Sequence, residues 1–317
     1  MKPKVAFLFP GQGSQRVGMG KDFYESFEFV RNLYDEANEV LGFDIASLSF
    51  SGPEESLRLT FNTQPAILIH SYIAYRLLRM QGGEPAVAAG HSLGEYSALL
   101  AAGATDFPIA LDIVRKRGRF MQDDVPPEAG AMAAIIGLSG DEVEVLCNQV
   151  SRGRVVQPAN YNAPDQVVVA GEKGAVDDLV EASKGAGARR AITLAVSAPF
   201  HCTLLKGAQD KLAQELERIE FRDLTFPVVS NVSARPVTSG PDARENLKPQ
   251  VTSPVRWEES LRTMLGEGAS VMVEVGPGRV LTALAKRIDE RVITFNVEDM
   301  KSLERTLSGL RELSLIV

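Results

Sequence analysis

Apolar positions recur along the chain at two periods, which separate strands from helices. Residues 5–9 (VAFLF) form a short apolar run ending at Pro10-Gly11, the pattern of a buried strand that stops in a turn. Residues 22–41 place Phe23, Phe27, Val30, Tyr34, Ala37 and Leu41 at helical spacing, and 64–80 predict a second helix buried over a broad face. The run 86–89 precedes GHSLGEYSALLAAG, which reads as strand, sharp turn and a helix over 93–102. A helix over 107–123 carries the basic cluster Arg115, Lys116, Arg117 and Arg119.

After Pro126-Pro127 and Gly130 the rhythm changes. Strands are expected at 131–136, 154–158, 166–170 and 190–194, helices at 141–150 and 175–184, and a polar turn at 160–165. That order is β-α-β-β-α-β, the ferredoxin-like arrangement. Residues 128–197 are therefore expected to form a ferredoxin-like small subdomain, inserted into an α/β domain made of 1–127 and 198–317. Beyond it, helices are expected at 203–217, 257–265, 280–288 and 303–313, and strands at 227–229, 271–275 and 292–295. A loop and helix fill 239–250. Alternating strands and helices imply a mostly parallel sheet covered on both faces.

Composition narrows the function classes. The chain has 317 residues, 44% of them hydrophobic and 24% charged, as in an ordinary globular protein. Its net charge of −7 disfavours a nucleic-acid-binding surface. Two cysteines, Cys147 and Cys202, give neither a disulfide framework nor a zinc pattern, and no H-E-x-x-H occurs, so no metal site is expected. The first residues lack the long apolar region of a signal peptide, and no apolar run suits a membrane span. A cytoplasmic location is expected.

Gly90-His91-Ser92-Leu93-Gly94 matches G-x-S-x-G between a strand and a helix, the context of a nucleophile elbow. Ser92 is then the candidate nucleophile, and the Leu93 N–H is placed to stabilise an oxyanion. Only three histidines can serve as its base. His91 adjoins Ser92 on the same turn and should project elsewhere, as a structural group or a substrate contact. His70 lies among Ile67, Ile69 and Ile73 and reads as a core histidine. By elimination His201, in a loop after a strand and later in the chain than Ser92, is the general base. No acidic residue stands out to orient it, and a backbone carbonyl is able to do so.

Gly11-Gln12-Gly13 opens neither a dinucleotide fingerprint, whose third glycine would fall on Arg16, nor a P-loop, whose first would fall on Gln15. Within the basic cluster one guanidinium turned inward beside Ser92 would clamp a carboxylate, while the other three would form a solvated face. Spacing alone does not choose among them.

FPGQGSQ, GHSLGEYSAL, RGRFMQ, NYNAPDQVVVAG, SAPFH, SPVRW and EVGPGRVL occur in that order over nearly the whole chain. Together they resemble the malonyl-CoA:acyl carrier protein transacylases of bacterial fatty-acid synthesis and the acyltransferase domains of polyketide synthases. The resemblance implies an α/β-hydrolase-like core beside the small subdomain. It implies a malonyl-serine intermediate on Ser92, His201 as base, and Gln250 as the residue whose backbone carbonyl orients that histidine. Gln12 joins the Leu93 N–H in the oxyanion hole, and Arg117 binds the malonyl carboxylate. Leu93 and Ala198-Pro199-Phe200-His201 look like the malonyl rather than the methylmalonyl type. The expected partners are malonyl-CoA and the phosphopantetheine thiol of holo-acyl carrier protein, with no bound cofactor, no nucleic acid, no membrane and a monomeric chain. Carrier proteins of these systems are acidic, which makes Arg189, Arg190, Lys286 and Arg287 docking candidates. A trans-acting polyketide acyltransferase remains open. A serine acyl hydrolase is disfavoured by Arg117, and a non-catalytic scaffold by the intact residue set.

Overall fold

The computed structural model describes residues 3–126, 128–196 and 198–316. Among the described residues ten strands form two sheets: β1 Lys4–Phe9, β2 Val87–Gly90, β3 Gly130–Ile136, β4 Val156–Ala163, β5 Gln166–Glu172, β6 Arg190–Thr193, β7 Val228–Val229, β8 Pro236–Val237, β9 Ala269–Val275 and β10 Ile293–Val297. The larger has the order β10-β9-β1-β2-β7-β8 and is parallel except for the β7–β8 pair. The smaller has the order β4-β5-β3-β6 and is antiparallel throughout. The protein is thus a mixed α/β structure. The expected boundary residues Pro127 and Ser197, the second also opening SAPFH, lie outside the described residues.

Strand β1 shows why the parallel sheet is central. Val5, Phe7 and Phe9 point into a core with the helices Glu28–Leu41, Thr60–Met80 and Phe107–Asp123, while Ala6 and Leu8 join Trp257, Leu261 and Leu284 on the opposite face. A strand buried on both sides needs no polar alternation, hence its continuous apolar run. The antiparallel sheet has its own core, in which Ala133, Ile135, Val167 and Val169 pack against Val143, Cys147, Val176 and Leu179 of the helices Gly140–Ser151 and Lys173–Gly185. The smaller sheet is tied to the chain just before the helix Trp257–Gly266, where β4 pairs with Val255: Tyr161 N donates to Val255 O at 2.9 Å and Val255 N to Ala159 O at 2.9 Å.

Several expected elements are corrected. The helix over 22–41 is two helices, Lys21–Ser26 and Glu28–Leu41, broken where Phe27 is extended at φ −129°. Periodicity reports which face is buried, and both helices bury into one core, so the pattern runs across the break. The polar turn expected at 160–165 is mostly strand. β4 runs to Ala163, and Asn160 and Asn162 are buried in it. The helix over 203–217 opens as a 3₁₀ turn, Thr203–Leu205, before Lys206–Leu216. The short helices Ile45–Ser51 and Glu54–Arg58 and the edge strand β8 had no periodic signal long enough to show. The last helix begins at Met300, three residues early, because Asp299 caps it by accepting from Ser302 N at 2.7 Å.

Two glycines let β2 turn directly into the helix Leu93–Ala101. A Cβ on Gly90 would lie 1.8 Å from the Gly94 carbonyl carbon, and one on Gly94 would lie 2.0 Å from Phe9 O. No side-chain movement relieves a clash with backbone, so strand, turn and helix approach this closely only with glycine at both positions. Gly90→Ala is expected to cost about 3 kcal/mol or more, as severe overpacking does. Urea unfolding of the variant against the unsubstituted protein reads this directly.

Candidate active site

Ser92 sits at the crossing of that turn with φ 53° and ψ −108°, a conformation that side chains other than glycine rarely adopt. Such strain persists where the surroundings enforce it. Here Ser92 N donates to Asn231 Oδ1 at 2.7 Å, and Asn231 Nδ2 donates to Gly90 O at 2.7 Å. Ser92 is the N-cap residue, yet its side chain makes no capping bond. The hydroxyl is instead 2.7 Å from His201 Nε2. Leu93 opens the helix, so its N–H is one of the first-turn donors with no intrahelical acceptor.

His201 is buried, and it too has positive φ, 60°. Its Nδ1 lies 2.8 Å from Gln250 O and 3.2 Å from Ser253 O. Carbonyl oxygens only accept, so Nδ1 carries the proton and Nε2 presents its lone pair to the Ser92 hydroxyl. Burial, aided by the nearby Arg117 charge, pushes the His201 pKa down to about 3, which keeps the imidazole neutral.

Arg117 is 1% exposed, and among the described residues every hydrogen-bond partner of its guanidinium is neutral. Nη1 donates to Gln64 Oε1 at 2.9 Å, while Nη2 donates to Ser92 Oγ at 3.1 Å and to Gln250 Oε1 at 3.0 Å. The guanidinium carbon also stands 5.3 Å from the centre of the Tyr96 ring. The rest of the basic cluster behaves differently. Arg119 is exposed and Lys116 pairs with Asp112 and Glu215. Arg115 departs from the expected solvated face: half-buried, it donates to Phe61 O at 2.6 Å and lies over the rings of Phe43 and Phe61.

Gln12, Ser92, Leu93, Arg117 and His201 line one cavity of about 400 Å³, with Met132, Leu194 and Val196 closing it from the side of the antiparallel sheet. One amide N–H of Gln12 reaches Thr60 Oγ1 at 3.3 Å. Gln250 lies behind Arg117 and His201. The docking candidates are elsewhere: Arg189 and Arg287 both pair with the carboxylate of Asp165, Lys286 donates to Glu290 O at 2.9 Å, and Arg190 is exposed.

The other two histidines stand apart from the Ser92 hydroxyl. His91 Nε2 is 2.9 Å from Asn162 Oδ1, and its ring lies 5.4 Å from that of Trp257. His70 is buried with Nε2 3.1 Å from Glu298 O. Four polar partners were not legible in the sequence: Gln64, Glu95, Asn162 and Asn231. Glu95 was in plain view within GHSLGE, where a first-turn acid reads as a helix-dipole complement; here it is buried, and burial raises its pKa to about 7 against the donors that hold it.

A model of the acyl transferase domain family matches residues 6–306. The chain belongs to that family, and it is an acyltransferase. It is 45% identical over 310 residues to the malonyl CoA-acyl carrier protein transacylase of Bacillus subtilis (strain 168), covering 98% of each chain. It is 50% identical over 286 residues to the enzyme of the same name from Escherichia coli (strain K12), covering 90% of this chain and 93% of that one. Among solved structures it resembles a malonyl-transacylase bound to a holo type II PKS acyl-carrier protein, with a TM-score of 0.94, 46% identity, and 96% and 99% of the two chains covered.

Burial also depresses the His70 pKa, from 6.5 to about 4. A histidine kept neutral by folding gives full stability above its unfolded pKa and loses it as pH falls through the window between 6.5 and about 4. Going from pH 7 to pH 5 is therefore expected to cost the protein about 2 kcal/mol more than it costs His70→Gln. Urea unfolding of both proteins at the two pH values checks the difference.

Proposed function

We propose that this protein transfers the malonyl group from malonyl-CoA to the phosphopantetheine thiol of an acyl carrier protein, through a malonyl ester on Ser92. One observation carries the reading. A buried guanidinium with only neutral partners, Arg117, faces the Ser92 hydroxyl at 3.1 Å, and that hydroxyl is 2.7 Å from a neutral imidazole. Such a site activates a serine beside a receptor for a carboxylate, which suits an acyl group bearing its own acid.

In the first half-reaction the Ser92 Oγ attacks the thioester carbonyl while its proton passes to His201 Nε2. Negative charge develops on the carbonyl oxygen, where the Leu93 N–H and the Gln12 amide are the proposed donors. The C–S bond breaks, and the CoA sulfur takes the proton back from His201. In the second half the carrier thiol gives its proton to His201 and attacks the ester; the C–O bond breaks and Ser92 regains its proton. The Gln250 carbonyl holds the imidazole through both halves. Once the malonate carboxylate neutralises Arg117, the charge that helps depress His201 is offset, so the base strengthens when the correct substrate is bound.

The architecture proposed around this site is an α/β-hydrolase-like core of residues 1–127 and 198–317 with a ferredoxin-like subdomain at 128–197. The strand order β4-β5-β3-β6, all antiparallel, supports the second name. A cytoplasmic location is supported by two buried free thiols, Cys147 and Cys202. Among the described residues no helix is long and apolar enough to cross a membrane. Arg189, Arg190, Lys286 and Arg287 are the proposed docking patch for an acidic carrier. Asp165 stands between two of the guanidiniums and leaves the group net positive. Fatty-acid synthesis is the proposed pathway. The likeness to a transacylase of a type II PKS carrier gives a second reading, a trans-acting polyketide supplier, which differs only in the carrier preferred.

Intact mass after mixing with malonyl-CoA is expected to show a malonyl adduct on the unsubstituted protein and none on Ser92→Ala, with acetyl-CoA giving little adduct on either. Absence of any malonyl adduct overturns the reading. Reversing charge at Arg189 and Arg287 is expected to raise the KM for holo-carrier protein about tenfold while leaving Ser92 acylation by malonyl-CoA within about twofold. Steady-state transfer compared with single-turnover acylation separates the two effects.

A further inference from the structure

Glu95 is 2% exposed and turned inward from the first turn of the helix that follows Ser92. Its Oε2 accepts from Gln250 Nε2 at 2.6 Å. The same Nε2 donates to the Ser92 backbone carbonyl at 3.0 Å, and the Gln250 Oε1 accepts from Arg117 Nη2 at 3.0 Å. Both hydrogens of the Gln250 amide and its oxygen are therefore committed. Resting on the malonyl-transfer reading, we propose that Glu95 is a positioning residue: it fixes which end of the Gln250 amide faces Arg117, and so holds the guanidinium ready for the substrate carboxylate.

The two ends of a side-chain amide have nearly the same shape and opposite chemistry. Inverted, Gln250 would set an N–H against Arg117, itself only a donor, and an oxygen against two acceptors. Of the two acceptors that forbid the inversion, the Ser92 carbonyl is neutral, while Glu95 when ionised makes the shorter, charge-assisted bond. When ionised, Glu95 also sets a negative charge behind the amide, where it steadies Arg117 without occupying it, because the guanidinium's own partners stay neutral. A direct Glu–Arg pair at this place would saturate the receptor and exclude the substrate's acid.

The division of labour within Gln250 makes the role specific. Its backbone carbonyl, fixed by the last turn of the helix Gly240–Gln250, holds His201. Its side chain, fixed by Glu95, holds Arg117. Loss of Glu95 should therefore weaken recognition of the carboxylate more than it weakens the serine–histidine pair.

The test is the rate of Ser92 acylation by malonyl-CoA and by acetyl-CoA, read by quenched intact mass. The proteins are the unsubstituted chain, Glu95→Asp, which keeps the charge but withdraws the oxygen by one methylene, and Glu95→Gln, which keeps an acceptor at the same reach. Glu95→Asp is expected to lower the malonyl-over-acetyl preference about tenfold or more, mainly by a slower malonyl reaction. Glu95→Gln is expected to lose some rate and keep the preference within about threefold. If Glu95→Asp does not fold, Glu95→Ala is read in its place with the same expectation. A preference that survives in Glu95→Asp, or one lost equally in Glu95→Gln, overturns the proposal. A malonyl adduct on the unsubstituted chain separates either result from failure of the functional reading itself.

Discussion

A positive charge held out of water among neutral hydrogen-bond acceptors is the constraint around which this protein is arranged. Desolvating a guanidinium is expensive, and the expense falls when the surrounding dipoles point their negative ends at it. Gln64 and Gln250 do so from two different helices, Thr60–Met80 and Gly240–Gln250, and Arg117 itself comes from a third, Phe107–Asp123. The Tyr96 ring adds a face of π density from the helix behind Ser92. All three helices share the core that Val5, Phe7 and Phe9 of β1 enter from one face of the parallel sheet. The fold thus serves to hold a charge that remains open to one more partner.

Ser92 gains from the same arrangement twice. Its hydroxyl lies between Arg117 and His201, so the charge proposed to recognise a substrate would also favour the anionic character developing at the proposed nucleophile. The charge simultaneously depresses the base, together with the larger effect of burial. Under the proposed function, substrate recognition and base strength are therefore opposed in the free protein and reconciled when a carboxylate arrives. This gives a physical reason for a selective acylation step without any moving part.

The sequence was most informative where backbone geometry dictates residue type. The glycines flanking Ser92 are demanded by backbone contacts of 1.8 and 2.0 Å that any Cβ would make, so in this chain the motif marks the turn. The apolar run of β1 revealed a strand covered on both faces for a similarly local reason. Three-dimensional convergence left a weaker trace. Asn160 and Asn162 looked like turn residues because they are polar, yet they are buried in β4, where Asn162 holds His91. Glu95 carried no signal of its own, since an acid in a first helical turn is ordinary, yet it is buried. Arg117 could not be told from Arg115 by spacing, since what separates them is which side of one helix meets the cavity. Polar residues that violate local expectation gather at the site, and there the pattern of burial has other demands to meet.

Under the proposed function the Arg117 charge, rather than the shape of the cavity, selects the acyl group. This is tested by comparing Ser92 acylation by malonyl-CoA with acylation by its terminal-amide isostere, which has the same size and no charge, in the unsubstituted protein and in Arg117→Ala. The amide is expected to react at least about 100-fold more slowly with the unsubstituted protein, the range that truncating one partner of a buried charge pair produces. That gap is expected to shrink to within about threefold in Arg117→Ala. Equal rates for the two thioesters on the unsubstituted protein, or a gap that persists without the arginine, would contradict it.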